Sequence, residues 1–145
     1  MATVKDILAG KGTQVFTISS DAAVLDGARL MNEHKIGGLV VLDDGKVAGM
    51  FTERDILQRV VAEERDPANV KVAEVMSTRI TTCRMDTTID EARVLMRNRR
   101  VRHLPVIDTR KNLLGLVSIG DLNAYLLVEE QKANHFLQEY LYGRA

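Results

Sequence analysis

Two short segments of the sequence place a hydroxyl side chain three residues before a carboxylate. Thr52 precedes Asp55, and Ser118 precedes Asp121, each within the pattern Gly-x-x-Ser/Thr-x-x-Asp. At a helix start this spacing forms a capping box, because the hydroxyl accepts from one free amide and the carboxylate accepts from another. An acidic side chain near a helix start can also accept the hydroxyl groups of a ribose. Capping and ribose binding are therefore two interpretations of each pair, and neither is catalytic.

A glycine opens both patterns, and their repetition favours a ligand. Gly49 and Gly115 stand three residues before the hydroxyls. The absence of a Cβ would let a ligand approach the backbone closely at these points. Two identical arrangements within one chain point to paired sites more strongly than to two coincidental caps.

The sequence offers no arrangement typical of catalysis or metal binding. Its histidines, His34, His103 and His135, have neither cysteine partners nor ligand spacing. The Gly-x-Ser-x-Gly, P-loop and Gly-x-Gly-x-x-Gly patterns do not occur. We therefore expect no catalytic residue, no catalytic cofactor and no metal, and we expect that the protein is not an enzyme.

The two patterns lie in two copies of one longer unit. The segment 36–43 matches 101–108 at an offset of 65 residues, and 49–56 matches 115–122 at an offset of 66. The one-residue slip falls in the turn between two predicted strands, where insertions are tolerated. The units are predicted to span residues 1–65 and 66–128, with a linker at 63–69.

Hydrophobic periodicity predicts the elements of each unit. Helical spacing of apolar residues around 24–34 and 89–99 predicts a helix in each copy. The β-branched runs 36–42 and 101–107 predict central strands, and Asp44-Gly45 predicts a tight hairpin turn to the next strand. A second helix follows each hairpin, from Glu53 to about Ala62 and from Ile119 onward. Each unit is thus β-α-β-β-α, which places the chain in the mixed α/β (α+β) class.

Neither unit has enough residues to fold comfortably alone. At about 60 residues each unit lies near the lower size limit of an independent domain. We expect the two to pack sheet to sheet around a pseudo-twofold axis, with two equivalent clefts between them. Residues 129–145 are predicted to continue as a C-terminal amphipathic helix, either unbroken or interrupted. This helix would pack either on its own chain or on another subunit.

Composition excludes several classes of partner. The chain has 20 Lys plus Arg, 20 Asp plus Glu and a hydrophobic content of 46%. Balanced charge gives no field for nucleic acid, and the basic cluster at 97–102 lacks the interleaved aromatic residues that stack on bases. No apolar run has the roughly 20 residues that span a membrane, and no secretory signal begins the chain. With the single Cys83, these features predict a cytoplasmic protein.

These residues and motifs resemble a CBS-domain pair, or Bateman module, over about residues 4–128. The resemblance rests on the openings 4–8 and 72–76, on the Gly-Gly-Leu-Val-Val and His-Leu-Pro-Val strands, and on the two Gly-x-x-Ser/Thr-x-x-Asp endings. It implies a small stand-alone regulator that binds an adenine nucleotide in its clefts. AMP, ADP, ATP and NAD are the candidates. It also implies a homodimer that modulates a protein partner, which the sequence does not identify.

The resemblance assigns roles to the strand-end residues. Asp55 and Asp121 would each accept hydrogen bonds from a ribose, and Thr52 and Ser118 would contact the sugar or first phosphate. Arg102 and His103 would bind phosphate beside Asp121, and Arg54 would serve the Thr52 site. In the first copy Gly37 and Gly38 occupy the places of Arg102 and His103, so the clefts are expected to differ. The cleft of Ser118 and Asp121 is predicted to be preferred.

The remaining candidates have competing interpretations. Adenine would lie along Thr17-Ile18 in one cleft and Thr82-Cys83 in the other, although Ile18 and Cys83 also suit a plain core. Lys11 would close over a phosphate, or it belongs to an exposed flexible loop. Beyond individual residues, the alternative function is a structural homodimerisation module whose clefts are vestigial.

Overall fold

The computed structural model describes residues 1–142. The first repeat consists, in chain order, of helix α1 (Val4–Lys11), strand β1 (Thr17–Ile18), helix α2 (Val24–His34), strands β2 (Gly38–Asp43) and β3 (Lys46–Thr52), and helix α3 (Glu53–Ile56). Strand β2 lies in the middle of the sheet, parallel to β1 and antiparallel to β3. Asp44 and Gly45 form the predicted two-residue turn, both with positive φ. Helix α3 continues as a π-helical turn, Leu57–Val61, so the predicted helix length is confirmed.

The second repeat follows the same order with a reduced first strand. After a 3-10 turn at Pro67–Asn69 it consists of helices α4 (Val72–Val75) and α5 (Ile89–Arg99), strands β4 (His103–Ile107) and β5 (Leu113–Ser118), and helix α6 (Ile119–Tyr142). Strands β4 and β5 pair antiparallel. In the place of a first strand, Cys83 forms a single parallel bridge with Val106. The predicted fold class is confirmed: two α/β repeats with pseudo-twofold symmetry, followed by a C-terminal helix.

Each repeat buries the opening segment of the other. Val4 and Leu8 of α1 lie in one core cluster with Leu104 of β4. Val72 of α4 lies in the other cluster with Phe51 of β3. Burial of a Val or Leu side chain contributes roughly 1.5–3 kcal/mol, so this exchange ties the repeats into one cooperative body. The predicted limit at 65 therefore marks the period of the sequence repeat, whereas each hydrophobic core contains residues from both sides of it.

The repeats also meet through backbone hydrogen bonds. The Met50 amide donates to the Ser77 carbonyl at 3.0 Å, and the Ser77 amide donates back to Met50 at 2.9 Å. A further bridge joins Lys46 to Asn112 near the hairpin turns. Through the first contact, the chain that follows α4 is held directly against β3.

The C-terminal helix α6 is continuous and projects beyond the repeats. Leu122 is buried, and Tyr125 and Leu126 pack against the core of the second repeat. Further along, Phe136 and Tyr140 are 70% and 78% exposed. The interpretation that this helix folds back onto its own chain is therefore wrong for residues 127–142. Of the predicted 129–145 segment, residues 143–145 lie outside the described residues.

None of the helices described in 1–142 combines the length and apolar character required to cross a membrane.

Candidate functional site

Both strand-end motifs form the capping boxes that their spacing predicts. At α3, the Thr52 amide donates to Asp55 Oδ2 at 2.9 Å, and the Asp55 amide donates to Thr52 Oγ1 at 3.4 Å. At α6, the Ser118 amide donates to Asp121 Oδ2 at 2.8 Å, and the Asp121 amide donates to Ser118 Oγ at 3.0 Å. The capping interpretation is confirmed at both sites. A second role must therefore use what the caps leave free.

The cap at Asp55 leaves one carboxylate oxygen available. Oδ2 accepts from both the amide and the hydroxyl of Thr52. Within residues 1–142, no side-chain hydrogen bond uses Oδ1. The residue is only 8% exposed, yet it lines a cavity. The backbone thus fixes this carboxylate while its second oxygen can accept a ligand hydroxyl.

That cavity has a volume of about 550 Å³ and lies between the two repeats. Its size is in the range of pockets that bind small ligands. It brings together six of the residues predicted from the sequence: Gly37, Thr52, Arg54, Asp55, Arg102 and His103. Its other walls come from the second repeat, from β3 and from the start of α3: Met50, Glu53, Ser77, Arg79, Ile80, Thr81, Arg100 and Val101. We call this cavity the Asp55 cleft.

Positive charge dominates the walls of the Asp55 cleft. Four arginines, at positions 54, 79, 100 and 102, face two acids, Glu53 and Asp55. In the part of the chain that the structure describes, none of the four forms an ion pair. Guanidinium groups bind phosphate through paired, charge-assisted hydrogen bonds. The cleft therefore combines a hydroxyl acceptor with an anion-binding wall.

Arg79 is one of the cleft residues that the sequence reasoning missed. A signal for it existed, because the matched openings pair Val4 with Val72 at an offset of 68 residues. The same offset pairs Lys11 with Arg79. Each repeat thus supplies a cation at the corresponding position, which is the last residue of α1 in the first repeat and lies beyond the end of α4 in the second.

Arg102 and His103 lie in the Asp55 cleft, whereas the prediction placed them beside Asp121. Their strand does start opposite the second motif, because His103 pairs with Ser118 in the β4–β5 register. The His103 ring nevertheless reaches the first repeat, where it lies 3.5 Å from the position of a Cβ on Gly38. At that distance a Cβ on Gly38 would make only an ordinary van der Waals contact with the ring. The two copies do differ at these positions, but Arg102 and His103 add their polar groups to the Asp55 cleft.

Burial lowers the pKa of His103, and the positive charges of Lys11 and Arg102 act in the same direction, against the carboxylates of Asp121 and Glu53. Its imidazole is therefore neutral at pH 7. A neutral ring still donates one N–H. In the free protein the arginines, rather than His103, carry the positive charge of the cleft.

At Asp121 the corresponding place is filled by the chain itself. The Lys11 ammonium lies 2.5 Å from Asp121 Oδ2 and donates to the Leu116 carbonyl at 2.8 Å. Burial alone would raise the pKa of Asp121, but the hydrogen bonds from Lys11 and Ser118 outweigh it and lower the pKa. Lys11 ends helix α1, and Gly12 with a φ of 100° stops the helix. The flexible-loop interpretation of Lys11 is therefore wrong.

The residues predicted to contact adenine do not line the Asp55 cleft. Thr17 and Ile18 form β1, and Ile18 packs against the first core. Thr82 is half-buried beside Thr81, which does line the cleft. Cys83 is 3% exposed, and burial raises the pKa of its thiol to about 12. The core interpretations of Ile18 and Cys83 fit the structure, and this thiol does not ionise near neutral pH.

The two motif glycines are needed for packing between the repeats. A Cβ on Gly49 would lie 2.5 Å from the Ser77 carbonyl oxygen, and one on Gly115 would lie 2.8 Å from Leu8. Both neighbours belong to the exchanged openings or follow them directly. The expectation that these glycines admit a ligand is wrong, because protein atoms already occupy the space.

Among the described residues, no group of three or more His, Cys, Asp and Glu side chains is placed to hold a metal ion.

The fold and the cleft together define a class: a tandem α/β repeat protein with a cationic, ligand-sized cleft at the repeat boundary. Comparison with known proteins is more specific. The family model described as CBS domain matches residues 3–62 and 72–128. The chain belongs to the CBS domain family, which confirms the resemblance seen in the sequence.

Three similar proteins illustrate the relationship. The CBS domain-containing protein YhcV of Bacillus subtilis is 38% identical, over 84% of this chain and 84% of its own. The crystal structure of CBS-domain containing protein ATU1752 from Agrobacterium tumefaciens is 35% identical, with a TM-score of 0.80 over 86% of this chain and 98% of its own. The CBS domain pair of protein MJ0100 is 24% identical, with a TM-score of 0.79 over 89% and 98%. Its structure contains 5-methylthioadenosine and S-adenosyl-L-methionine.

Proposed function

We propose that this protein is a regulatory module that binds an adenine nucleotide, with AMP, ADP, ATP and NAD as candidates, in the Asp55 cleft. One observation carries the proposal. In a cavity of about 550 Å³, the fixed carboxylate of Asp55, with one free oxygen, shares the walls with four arginines that have no ion-pair partner in the described chain. A nucleotide carries both a ribose, whose hydroxyls a carboxylate can accept, and phosphates, which arginines can bind. Among the described residues, the His103 side chain forms no hydrogen bond to a hydroxyl of the cleft, and the Thr52–Asp55 contact belongs to the helix cap, so binding rather than turnover is the proposed activity.

The ribose end of the ligand would lie at the start of α3. Oδ1 of Asp55 would accept from the ribose hydroxyls while Oδ2 keeps its hydrogen bond to the Thr52 amide. Because the cap holds the carboxylate in place, little side-chain entropy is lost on binding. Thr52 lies beside it, and its hydroxyl, which the cap already uses once as a donor and once as an acceptor, retains one lone pair that can accept from the sugar.

The phosphate end would lie among the arginines. Arg100 and Arg102 approach from the loop before β4, and Arg79 approaches from the segment after α4. A carboxylate repels phosphate, so the two ends of the cleft favour one orientation of the ligand. Adenine would then pack against Met50 and Ile80, with the backbone around Thr81 providing polar contacts.

Similarity supports an adenosyl ligand for this fold. The MJ0100 CBS pair holds two adenosyl compounds, and its likeness to this chain is one of fold. We propose that occupancy changes the shape of the repeat boundary and thereby the affinity for a regulated protein partner, in the cytoplasm. A homodimer would supply a second copy of the cleft.

The alternative is a structural homodimerisation module with vestigial clefts. It is favoured by α6, whose outer turns expose Phe136, Leu137 and Leu141. An exposed apolar helix face is a common docking surface for a second helix. In this alternative the capping boxes are only caps.

Calorimetry combined with light scattering separates the two functions. We expect saturable binding of at least one of AMP, ADP, ATP and NAD to the purified protein. Absence of heat at about 1 mM of every nucleotide, in a sample that light scattering shows to be a dimer, would refute the sensor and favour the structural module. Nucleotide recovered unchanged after incubation confirms that binding is not followed by turnover.

Replacement of Arg102 by alanine should weaken ATP more than AMP. A charge-assisted hydrogen bond to phosphate is worth roughly 1.5 kcal/mol, or about tenfold in Kd. AMP lacks the outer phosphates, so it has fewer oxygens that Arg102 could bind and should lose less affinity. Arg99→Ala is the matched control, because Arg99 lies on α5 outside the cleft. Equal losses for ATP and AMP would show that Arg102 does not contact the outer phosphates.

A further inference from the structure

The two ribose acceptors differ in one contact. Asp121 bears the Lys11 ammonium at 2.5 Å, with side-chain exposures of 34% for the lysine and 24% for the aspartate. Asp55 has no ion-pair partner among the described residues, and its hydrogen bonds come from its own capping box. The cation that corresponds to Lys11 in the second repeat is Arg79, which lines the Asp55 cleft without pairing with its carboxylate.

The difference arises from the length of the opening helices. Helix α1 runs for 8 residues to Lys11, whereas α4 runs for only 4, to Val75. The additional turn of α1 carries Lys11 across to the other repeat. There the ammonium lies between Asp121 Oδ2 and the Leu116 carbonyl, so both of its protein acceptors belong to β5 and α6.

A ribose cannot easily replace that ammonium. Ribose hydroxyls are neutral donors, so they could give the Asp121 carboxylate hydrogen bonds but would not replace its Coulomb attraction to the ammonium. A ribose that displaced the Lys11 side chain would also separate the ammonium from its two protein acceptors. Binding of a ribose at Asp121 therefore requires breaking an ion pair, whereas, among the described residues, binding at Asp55 does not.

We infer that Lys11 is the specificity-determining residue that confines nucleotide binding to the Asp55 cleft, by occupying the ribose-acceptor position at Asp121. The inference rests on the proposed function. It reverses the preference expected from the sequence: the protein presents one open site and one site closed by its own side chain.

The test counts binding sites by calorimetry with ATP. We expect one equivalent per chain for the parent and two for Lys11→Met, which keeps the length of the side chain and removes the charge. Lys46→Met is the matched control, because Lys46 also donates two hydrogen bonds to the second repeat, at 2.9 and 3.1 Å, far from either carboxylate. This control should keep one equivalent. The double variant Lys11→Met/Asp121→Ala should return to one.

The other possible binding counts either support or overturn the role of Lys11. Two equivalents in the parent, or one in Lys11→Met with an unchanged thermal melt, would overturn the inference. If Lys11→Met fails to fold, Lys11→Gln provides the same count with a neutral polar group. If the parent binds no nucleotide, the proposed function fails at Asp55. The role of Lys11 is then supported by one equivalent in the variant and overturned by none.

Discussion

Replacing Asp55 with alanine should lower the affinity for ATP on the order of a hundredfold, about 2.7 kcal/mol. The carboxylate is 8% exposed and is fixed by the Thr52 amide, so both ribose hydroxyls would lose a charged acceptor that is already in position. Direct titration of the purified variant with ATP measures the effect.

The same substitution also removes half of a capping box, which costs about 1 kcal/mol of stability. Asp121→Ala is the matched control, because it removes the equivalent carboxylate at α6, where the Ser118 amide loses its partner in the same way. With Lys11 already covering Asp121, we expect ATP affinity to change by less than about twofold in this variant. A loss in both variants would point to a general effect of the caps.

A change in the ligand isolates the ribose contact. ATP that lacks its ribose hydroxyls should bind the parent about as weakly as intact ATP binds Asp55→Ala, and it should lose little more on the variant. If Asp55→Ala instead binds like the parent while Asp121→Ala does not, the ribose acceptor lies in the other cleft.

Much of this arrangement could be predicted from local sequence. The capping boxes at Thr52 and Ser118 follow from spacing alone, because a cap is made by residues three apart. The Asp44-Gly45 turn is equally local, since few residue pairs accept positive φ at both positions. The duplication is visible because the two units keep similar residues at a nearly constant offset in the sequence.

The composition of each cleft was not predictable in the same way. Lys11 and Asp121 are 110 residues apart, and their contact depends on one additional turn of α1. His103 of the second repeat lies against Gly38 of the first, 65 residues away in the sequence. Such contacts arise from how the repeats are placed together, and a pattern within one repeat carries no information about them.

The motif glycines illustrate how the same residue supports two explanations. Read along the chain, Gly49 stands near a candidate ligand site. In the fold, its missing Cβ makes room for the Ser77 carbonyl at the repeat boundary. The two explanations predict different consequences of adding a methyl group, since one concerns binding and the other concerns folding.

Gly49→Ala should destabilise the protein by about 3 kcal/mol, at the upper end of overpacking effects. The new Cβ would lie 2.5 Å from the Ser77 oxygen and 3.2 Å from Met76 Sδ. The sulfur belongs to a flexible side chain and can move, but the carbonyl is backbone. Denaturant unfolding measures the change as a lower midpoint with an unchanged slope.

Relief of that clash requires the repeats to separate. The Ser77 carbonyl accepts from the Met50 amide at 3.0 Å, and the Ser77 amide returns a bond at 2.9 Å, so moving Ser77 strains both. Gly10→Ala is the matched control, because Gly10 is helical and a Cβ there meets nothing within 4 Å. We expect that control to be stabilised by about 0.5–1 kcal/mol, since alanine favours the helix.

The clash also has a consequence for the cleft, because Met50 and Ser77 both line it. A protein in which Gly49→Ala loses stability should therefore also bind ATP more weakly at temperatures where it remains folded. If Gly49→Ala is as stable as the parent and loses only nucleotide affinity, the glycine serves the ligand rather than the packing. If it loses stability and keeps its affinity, the repeat boundary can shift at Ser77 without changing the Asp55 cleft.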